Sequence, residues 1–257
     1  METLKITRKK DYAIIHLDRG KVNAINFQMV EELYSTIQSF KNDSAVRGVI
    51  ITGKPHFFSA GLDVIELYDY DTEKIRSFFK LFSDLHIELV QFPKPLISAI
   101  TGHAPAGGTV IAMTSDYRVM AEGDAYTLGL NEINVNVSLP SYLIKGYAFW
   151  LGEGRANTYL LNGTLMTANE AFAVGFVNTV CPLEEVLQKS EEKMQVYLKA
   201  DDAIFRGIKY KSRREWMDSL GTTNTEDLKE SMEVWWRPEI RNKMKQLVDK
   251  LTTKKSS

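Results

Sequence analysis

The chain has a single cysteine, Cys181, and therefore cannot form an internal disulfide bond. This favours a reducing compartment, and in the apolar run around it a cysteine is most simply a small buried residue. No apolar run approaches the roughly 20 residues needed to cross a bilayer. The N-terminus METLKITRKKDY also lacks the apolar core of a signal peptide. We therefore expect a cytoplasmic protein without a membrane segment.

Neither sign of charge is in excess, because 32 Lys and Arg residues oppose 33 Asp and Glu residues, for a net charge of -1. Without an overall positive field, we do not expect nucleic acid as a partner. Basic and aromatic residues do alternate in FRGIKYKSRREW and EVWWRPEIRNKMK, a pattern that RNA-binding proteins also use. A solvated helix face, or contacts with a phosphate or another subunit, is the preferred interpretation.

Two kinds of catalytic site are also missing from the sequence. His16, His56 and His86 are scattered and show no metal-ligand spacing. No serine lies in the G-x-S-x-G context of a nucleophile elbow. Neither a metal site nor a serine nucleophile is predicted.

The composition is otherwise that of an ordinary globular chain of 257 residues, 44% hydrophobic and 25% charged. Apolar spacing predicts strands and helices that alternate through the first two-thirds, and mainly helices from about residue 139. The main predicted strands are 2–8, 12–17, 46–53 and 93–102; the main predicted helices are 27–41, 73–91, 183–199, 203–219, 225–235 and 238–252. We expect an α/β core over residues 1–195 and a helical region over 196–257.

Two glycine-marked turns follow predicted strands, FFSAGLDV (57–64) and GHAPAGGTVIAM (102–113). Small residues let a ligand approach the backbone closely, and the first N–H groups of a helix lack intrahelical partners. Two such turns can each direct one N–H group at the same oxygen atom. The alternative for either turn is a strand-to-helix connection that simply needs small residues.

Glu132, in YTLGLNEINVNVSLP, is the candidate catalytic carboxylate. A carboxylate near two N–H donors can move a proton on the carbon next to the bound oxygen, which is chemistry through an enolate. A glutamate on a surface loop is the alternative that its local context favours.

Together these segments resemble the crotonase (enoyl-CoA hydratase/isomerase) superfamily, over residues 4 to 195. FSAGLD, PAGGTVIAMTSDYRVMAE and LGLNE are most similar to Δ3,Δ2-enoyl-CoA isomerases. The resemblance implies a core of repeated ββα turns forming a spiral, with a helical C-terminal trimerisation region. It also implies a homotrimer or hexamer that acts on an acyl-CoA thioester in fatty acid metabolism, with coenzyme A as part of the substrate and no separate cofactor.

The resemblance also assigns roles to individual residues. The N–H groups of Leu62 and Gly107 would form the oxyanion hole, and Glu132 would be the acid and base. The stretch Ala60 to Val64 would line the path of coenzyme A. The residues implied in binding the substrate or its coenzyme A are Lys21, Val22, Ala24, Ala60, Gly61, Asp63, Val64 and Gly108.

Two departures from the hydratase pattern favour an isomerase. Hydratases of this family carry a second catalytic glutamate where this chain has Val110. They also have a glycine, whose N–H helps to hold water, where this chain has Pro140, which has no N–H. Moving a double bond needs one carboxylate, whereas adding water suits two.

Several interpretations stay open at this point. The chain could be another crotonase-type enzyme (a hydratase or lyase, a decarboxylase or a thioester hydrolase) or a non-catalytic member that binds acyl-CoA or RNA. Asn134, Asn136 and Ser138 either line the pocket, which would suit a polar acyl group, or alternate outward. His103 either supports the oxyanion turn or is packed.

Overall fold

The computed structural model describes residues 1–222 and 224–253. The strands are β1 (Leu4–Arg8), β2 (Ala13–Leu17), β3 (Val49–Thr52), β4 (His56–Phe57), β5 (Leu96–Ile100), β6 (Gly102–Pro105), β7 (Tyr117–Ala121), β8 (Thr127–Gly129), β9 (Met166–Thr167) and β10 (Thr179–Cys181). They form a six-stranded sheet in the order β1-β2-β3-β5-β7-β10 and a four-stranded sheet in the order β4-β6-β8-β9.

The helices surround these sheets and account for most of the C-terminal third. They are α1 (Phe27–Asn42), α2 (Val64–Tyr68), α3 (Thr72–Val90), α4 (Gly107–Ala112), α5 (Glu132–Val135), α6 (Ser141–Leu151), α7 (Glu153–Asn162), α8 (Ala168–Ala173), α9 (Val186–Tyr197), α10 (Asp202–Ser212), α11 (Arg214–Thr222), α12 (Asn224–Trp235) and α13 (Pro238–Thr253). A single 3₁₀ turn, Leu183–Glu185, precedes α9.

The large sheet is covered on both faces, so its strands are apolar on both sides. Ile15 and Ile51 face the main core, whereas Ile14 and Ile50 face a second cluster beneath α9. Strands buried on both faces are typical of parallel sheets, and β2, β3, β5, β7 and β10 pair in parallel. Within this sheet, as far as the structure describes it, β1 with β2 is the one antiparallel pair, and these are the strands predicted at 2–8 and 12–17. Cys181 is buried, as expected.

The long helices begin where the sequence supplies a cap. The Asn26 side chain accepts a hydrogen bond from the Met29 N–H at the start of α1, and Asp71 does the same for Lys74 at the start of α3. Both helices then bury one apolar face, as their spacing predicted. α2, which Asp63 caps, was not predicted, because it is short and lies in an acidic stretch of the sequence.

The chain passes from one sheet to the other at Gly102, where β5 ends and β6 begins. A Cβ atom at Gly102 would lie 2.1 Å from the His56 carbonyl oxygen, so only glycine fits this crossing. The predicted strand 93–102 is confirmed as β5, and its last residue, Gly102, begins β6 in the other sheet.

The C-terminal helices pack on the core through buried charge as well as apolar side chains. Lys209 and Arg213 donate to the Asp116 carboxylate at 2.9 and 2.8 Å. Trp216, Leu220 and Met232 join the main hydrophobic core. The single helix predicted at 203–219 is broken at Arg213, which lies between α10 and α11. The division of the chain at residue 195 stays a prediction.

Within the described ranges, 1–222 and 224–253, no helix is long and apolar enough to cross a bilayer. The same residues hold no cluster of three or more His, Cys, Asp or Glu side chains suited to a metal ion.

Candidate active site

A pocket with about 570 Å³ of empty space, counted to its open mouth, brings together the two glycine turns and Glu132. Its walls come from five helices, α3, α4, α5, α6 and α12, and from the loops that hold Leu62 and residues 137–140. The lining residues are Leu62, Phe79, Phe82, Ser83, Gly107, Val110, Glu132, Val137, Ser138, Leu139, Pro140, Tyr142, Leu143, Asp227, Leu228 and Ser231. The three residues predicted to be catalytic therefore share one pocket.

In the first turn, backbone hydrogen bonds anchor the residues on both sides of Leu62. The Ile25 N–H donates to the Gly61 carbonyl, and the Asp63 N–H donates to the Ile25 carbonyl, both at 2.8 Å. Within the described part of the chain, the Leu62 N–H itself has no hydrogen-bond acceptor. Gly61 has φ +87°, a conformation that favours glycine.

The second turn lies directly against the first. A Cβ atom on Gly107 would lie 3.4 Å from the Gly61 Cα and 3.1 Å from the Ile25 Cδ1, so a larger residue here would require Ile25 to shift. Gly107 is the first residue of α4, so its N–H has no acceptor within the helix. Ala106, just before it, has φ 47° and ψ -117°, an unfavourable conformation for a residue with a side chain.

Glu132 begins α5 and is 8% exposed, so it is not the surface residue that its local context favoured. Its Oε2 atom is buried and has no hydrogen-bond partner among the described residues. Burial raises the pKa of the Glu132 carboxyl from its ordinary 4.5 to about 7, because the ionised form is poorly solvated in the pocket. A carboxyl with a pKa near neutrality is suited to removing and returning a proton.

The two positions at which the sequence departs from the hydratase pattern also face the pocket. Val110 and Pro140 both line it, and neither supplies a proton or an N–H group. The second carboxylate among the described lining residues, Asp227, accepts hydrogen bonds from the Ser141 N–H and hydroxyl at 2.9 and 3.0 Å. Of the two carboxylates among the described lining residues, Glu132 is thus the one with a buried oxygen, Oε2, that has no hydrogen-bond partner.

The polar residues after Glu132 fall into two groups. The Asn134 amide donates to the Gly163 carbonyl, and the Asn136 side chain accepts from Lys243. Only Ser138 lines the pocket. The interpretation that these residues make the pocket strongly polar is therefore wrong for the two asparagines.

His103 is packed between the rings of Phe57 and Tyr126, with ring centroids 5.2 and 5.5 Å away. It does not line the pocket, and burial lowers the pKa of its imidazole. The packing interpretation is the one that the structure supports.

The residues predicted to bind coenzyme A lie along two adjoining loops outside the pocket lining. Lys21, Val22 and Ala24 belong to one loop, and Ala60, Gly61 and Asp63 belong to the other, which ends where Val64 begins α2. The Ala60 N–H donates to the Val22 carbonyl at 2.9 Å and joins the two loops. Gly108 is buried behind the pocket, where a Cβ would lie 2.8 Å from the Ser59 carbonyl oxygen. Their role in binding coenzyme A stays a prediction.

Sequence reasoning missed two walls of the pocket. Phe79, Phe82 and Ser83 come from α3, whose apolar spacing predicted a helix but not which residues face a ligand. Asp227, Leu228 and Ser231 come from α12, nearly 100 residues after Glu132. No local signal marks α12 as part of the site.

A family model described as enoyl-CoA hydratase/isomerase matches residues 7–254. The chain belongs to this family. It is 32% identical over 244 residues to the mitochondrial enoyl-CoA delta isomerase 1 of Rattus norvegicus, covering 95% of this chain and 84% of that one. It is 30% identical over 194 residues to a probable enoyl-CoA hydratase of Bacillus subtilis, covering 74% of each chain.

The solved structure of human mitochondrial delta3-delta2-enoyl-CoA isomerase superposes on this family member with a TM-score of 0.94. The two chains are 27% identical, and the match covers 98% of this chain and 99% of that one. The predicted α/β crotonase-type fold and the resemblance to Δ3,Δ2-enoyl-CoA isomerases are thereby confirmed.

Proposed function

We propose that this protein is a Δ3,Δ2-enoyl-CoA isomerase in which Glu132 is the single acid and base. The observation that carries the proposal is that Glu132, buried and with Oε2 unpaired, shares a pocket with Leu62 and Gly107. The valine at position 110 supports the same conclusion, because a second carboxylate is missing where a hydratase would need one.

The thioester oxygen of a 3-enoyl-CoA would lie between the N–H groups of Leu62 and Gly107. Each well-placed donor of this kind stabilises the developing oxyanion by roughly 3–4 kcal/mol. The Glu132 carboxylate takes a proton from C2, and the electron pair of that C–H bond moves into the carbonyl to give a dienolate. The same carboxyl returns the proton at C4 as the double bond forms between C2 and C3, giving the trans-2-enoyl-CoA.

An apolar pocket suits this reaction because the proton never has to exchange with water. Burial raises the pKa of Glu132, which makes its carboxylate a stronger base than an exposed glutamate. The aromatic and aliphatic walls from α3, α6 and α12 provide the surroundings for the acyl chain.

The test is an assay with 3-hexenoyl-CoA that follows formation of the conjugated thioester, with crotonyl-CoA hydration measured in parallel. The wild type is expected to isomerise and not to hydrate. Glu132→Gln should lower kcat by about 10²–10⁴-fold or more, since it removes the base while keeping the side-chain shape.

Glu122→Gln is the matched control, because Glu122 is an exposed carboxylate outside the pocket. It should retain wild-type turnover. Hydration without isomerisation would contradict the proposal, and so would wild-type turnover by the Glu132→Gln variant.

We further propose a homotrimer or hexamer, with α10 in the subunit contact. Ile204 and Ile208 lie one turn apart on this helix and are 63% and 65% exposed, an arrangement that suits burial against a second copy.

The expected cytoplasmic location stays a prediction. The rat and human isomerases that resemble this chain are both named as mitochondrial. Fractionation of the cells that make the protein would distinguish the two locations.

A further inference from the structure

The free N–H of Leu62 belongs to a peptide plane that the preceding loop fixes. The Gly61 carbonyl and the Leu62 N–H are parts of the same peptide unit and point in opposite directions, since the bond is trans. The Ile25 N–H donates a hydrogen bond to the Gly61 carbonyl, with a donor–acceptor distance of 2.8 Å. The Leu62 N–H is therefore directed away from Ile25.

The peptide unit that follows is anchored at the same place. The Asp63 N–H donates to the Ile25 carbonyl at 2.8 Å, so Ile25 and Leu62 form a short parallel bridge. The direction of the Leu62 N–H thus depends on where Ile25 and Asp63 lie relative to each other.

Arg19 joins these two positions with one guanidinium group. Its Nη1 donates to the Ala24 carbonyl at 2.8 Å and to the Asp63 carboxylate at 2.6 Å. Ala24 immediately precedes Ile25, and Asp63 immediately follows Leu62. The side chains of Arg19 and Asp63 are 25% and 15% exposed, so water screens the pair only partly.

A second carboxylate strengthens the hold of Arg19 on this loop. Its Nη2 donates to Glu66 at 2.7 Å, and Glu66 also accepts from the Asn26 amide at 3.0 Å. The other oxygen of Asp63 accepts from the Glu66 N–H at 3.1 Å and so caps α2. The planar guanidinium fits this arrangement because it presents several donors in a fixed geometry.

We propose that Arg19 is a positioning residue for catalysis: by binding Ala24 and Asp63 together, it fixes the Leu62 N–H that polarises the thioester carbonyl. This rests on the proposed function, because it assumes that an acyl-CoA thioester occupies the pocket. Arg19 acts through the loop and does not line the pocket itself.

The test compares wild type, Arg19→Met and Arg19→Lys by two measurements. The first is the absorption of bound 2,4-hexadienoyl-CoA, which moves to longer wavelength when its carbonyl is polarised. The second is kcat and KM for 3-hexenoyl-CoA. Arg19→Met should lose at least half of the absorption shift, and kcat should fall by about 10- to 100-fold, a part of what removal of an oxyanion donor costs. KM should change much less than kcat.

Arg19→Lys should recover part of both losses, because an ammonium group can still pair with one carboxylate. Arg47→Met is the matched control, since Arg47 also binds one carbonyl (Leu198) and one carboxylate (Asp202), far from the turn. It should leave the absorption shift and kcat unchanged, whatever its effect on the melting temperature.

A wild-type absorption shift and kcat in folded Arg19→Met would overturn the proposal, as would equal losses in Arg47→Met. If Arg19→Met does not fold, Asp63→Asn keeps the cap of α2 but weakens the ion pair, and wild-type values in that variant would overturn the proposal.

A wild type that shifts the absorption of the probe but does not isomerise would overturn the proposed function alone. A wild type that binds the probe without a shift would overturn both.

Discussion

At the scale of the residue, burial of the Glu132 carboxyl lowers the stability of the protein when the group is ionised. It is 8% exposed, and its Oε2 finds no partner among the described residues. An ionised carboxylate in such surroundings is poorly solvated, which raises the pKa of the group to about 7. In the unfolded chain the same group would titrate near 4.5.

This difference predicts how the free energy of unfolding depends on pH. Between about pH 4.5 and 7 the unfolded state loses the Glu132 proton and the folded state keeps it, so stability falls as pH rises. Above pH 7 the decrease in the free energy of unfolding is complete and amounts to about 3 kcal/mol. Glu132→Gln has no such proton, so it should be more stable than wild type at pH 8 and nearly equal to it at pH 4.5.

Urea unfolding of both proteins at several pH values measures this effect. A constant difference between the two proteins across that range would mean that the carboxyl is solvated in the folded state. That result would also remove the physical reason for its strength as a base.

The sequence identified Glu132 as the candidate but could not establish its burial. Its neighbours in the chain are Asn131 and the exposed Ile133, which suit a surface loop. Side chains such as Tyr142 and Leu143, which line the same pocket, reach it only through the packing of α6. Arg19 was missed for a similar reason, since its partner Asp63 lies 44 residues away.

At the scale of elements, Thr109 connects the helix that carries Gly107 to the strand that leads to Glu132. Its hydroxyl donates to the Ala104 carbonyl at 2.6 Å and accepts from the Gly129 N–H at 2.7 Å. Thr109 is fully buried, and the Ala106 N–H adds a third bond, to the Gly129 carbonyl. α4, β6 and β8 are therefore joined at one point behind the pocket.

Thr109→Val should destabilise the protein by about 1–3 kcal/mol, because the buried Gly129 N–H loses this acceptor. Thr114→Val is the matched control: its hydroxyl also donates within the same segment, to the Ile111 carbonyl, but that carbonyl keeps the bond from the Thr114 N–H. The control should lose less of the free energy of unfolding. Equal losses in urea unfolding would show that the link between α4 and β8 adds no stability of its own.

The elements themselves were predicted well where one face is apolar and the other polar, as in α1 and α3. The helix predicted over 203–219 is interrupted at Arg213, and the interpretation of its charged residues as a solvated face is wrong for two of them. Lys209 and Arg213 are only 5% and 3% exposed, since both turn inward to Asp116. The change of sheet at Gly102 depends on contact with His56, which sequence periodicity does not encode.

At the scale of the whole molecule, the exposed face of α10 predicts assembly. Sedimentation analysis should give three or six times the chain mass of 29.2 kDa. Replacing Ile204 and Ile208 together by Asp should shift the protein towards the monomer, because like charges would then meet in the contact. A wild-type monomer at micromolar concentration would contradict the prediction.

The far wall of the pocket comes from α12, and this has a consequence for how the protein is made. Asp227 binds Ser141, 86 residues earlier, and Leu228 faces the same pocket as Glu132. At about 5–20 residues per second, α12 is synthesised roughly 5–20 seconds after Glu132. Until then the nascent chain has Glu132 and both glycine turns but an open pocket, so the capacity to enclose a ligand should arise only after α12 has been made.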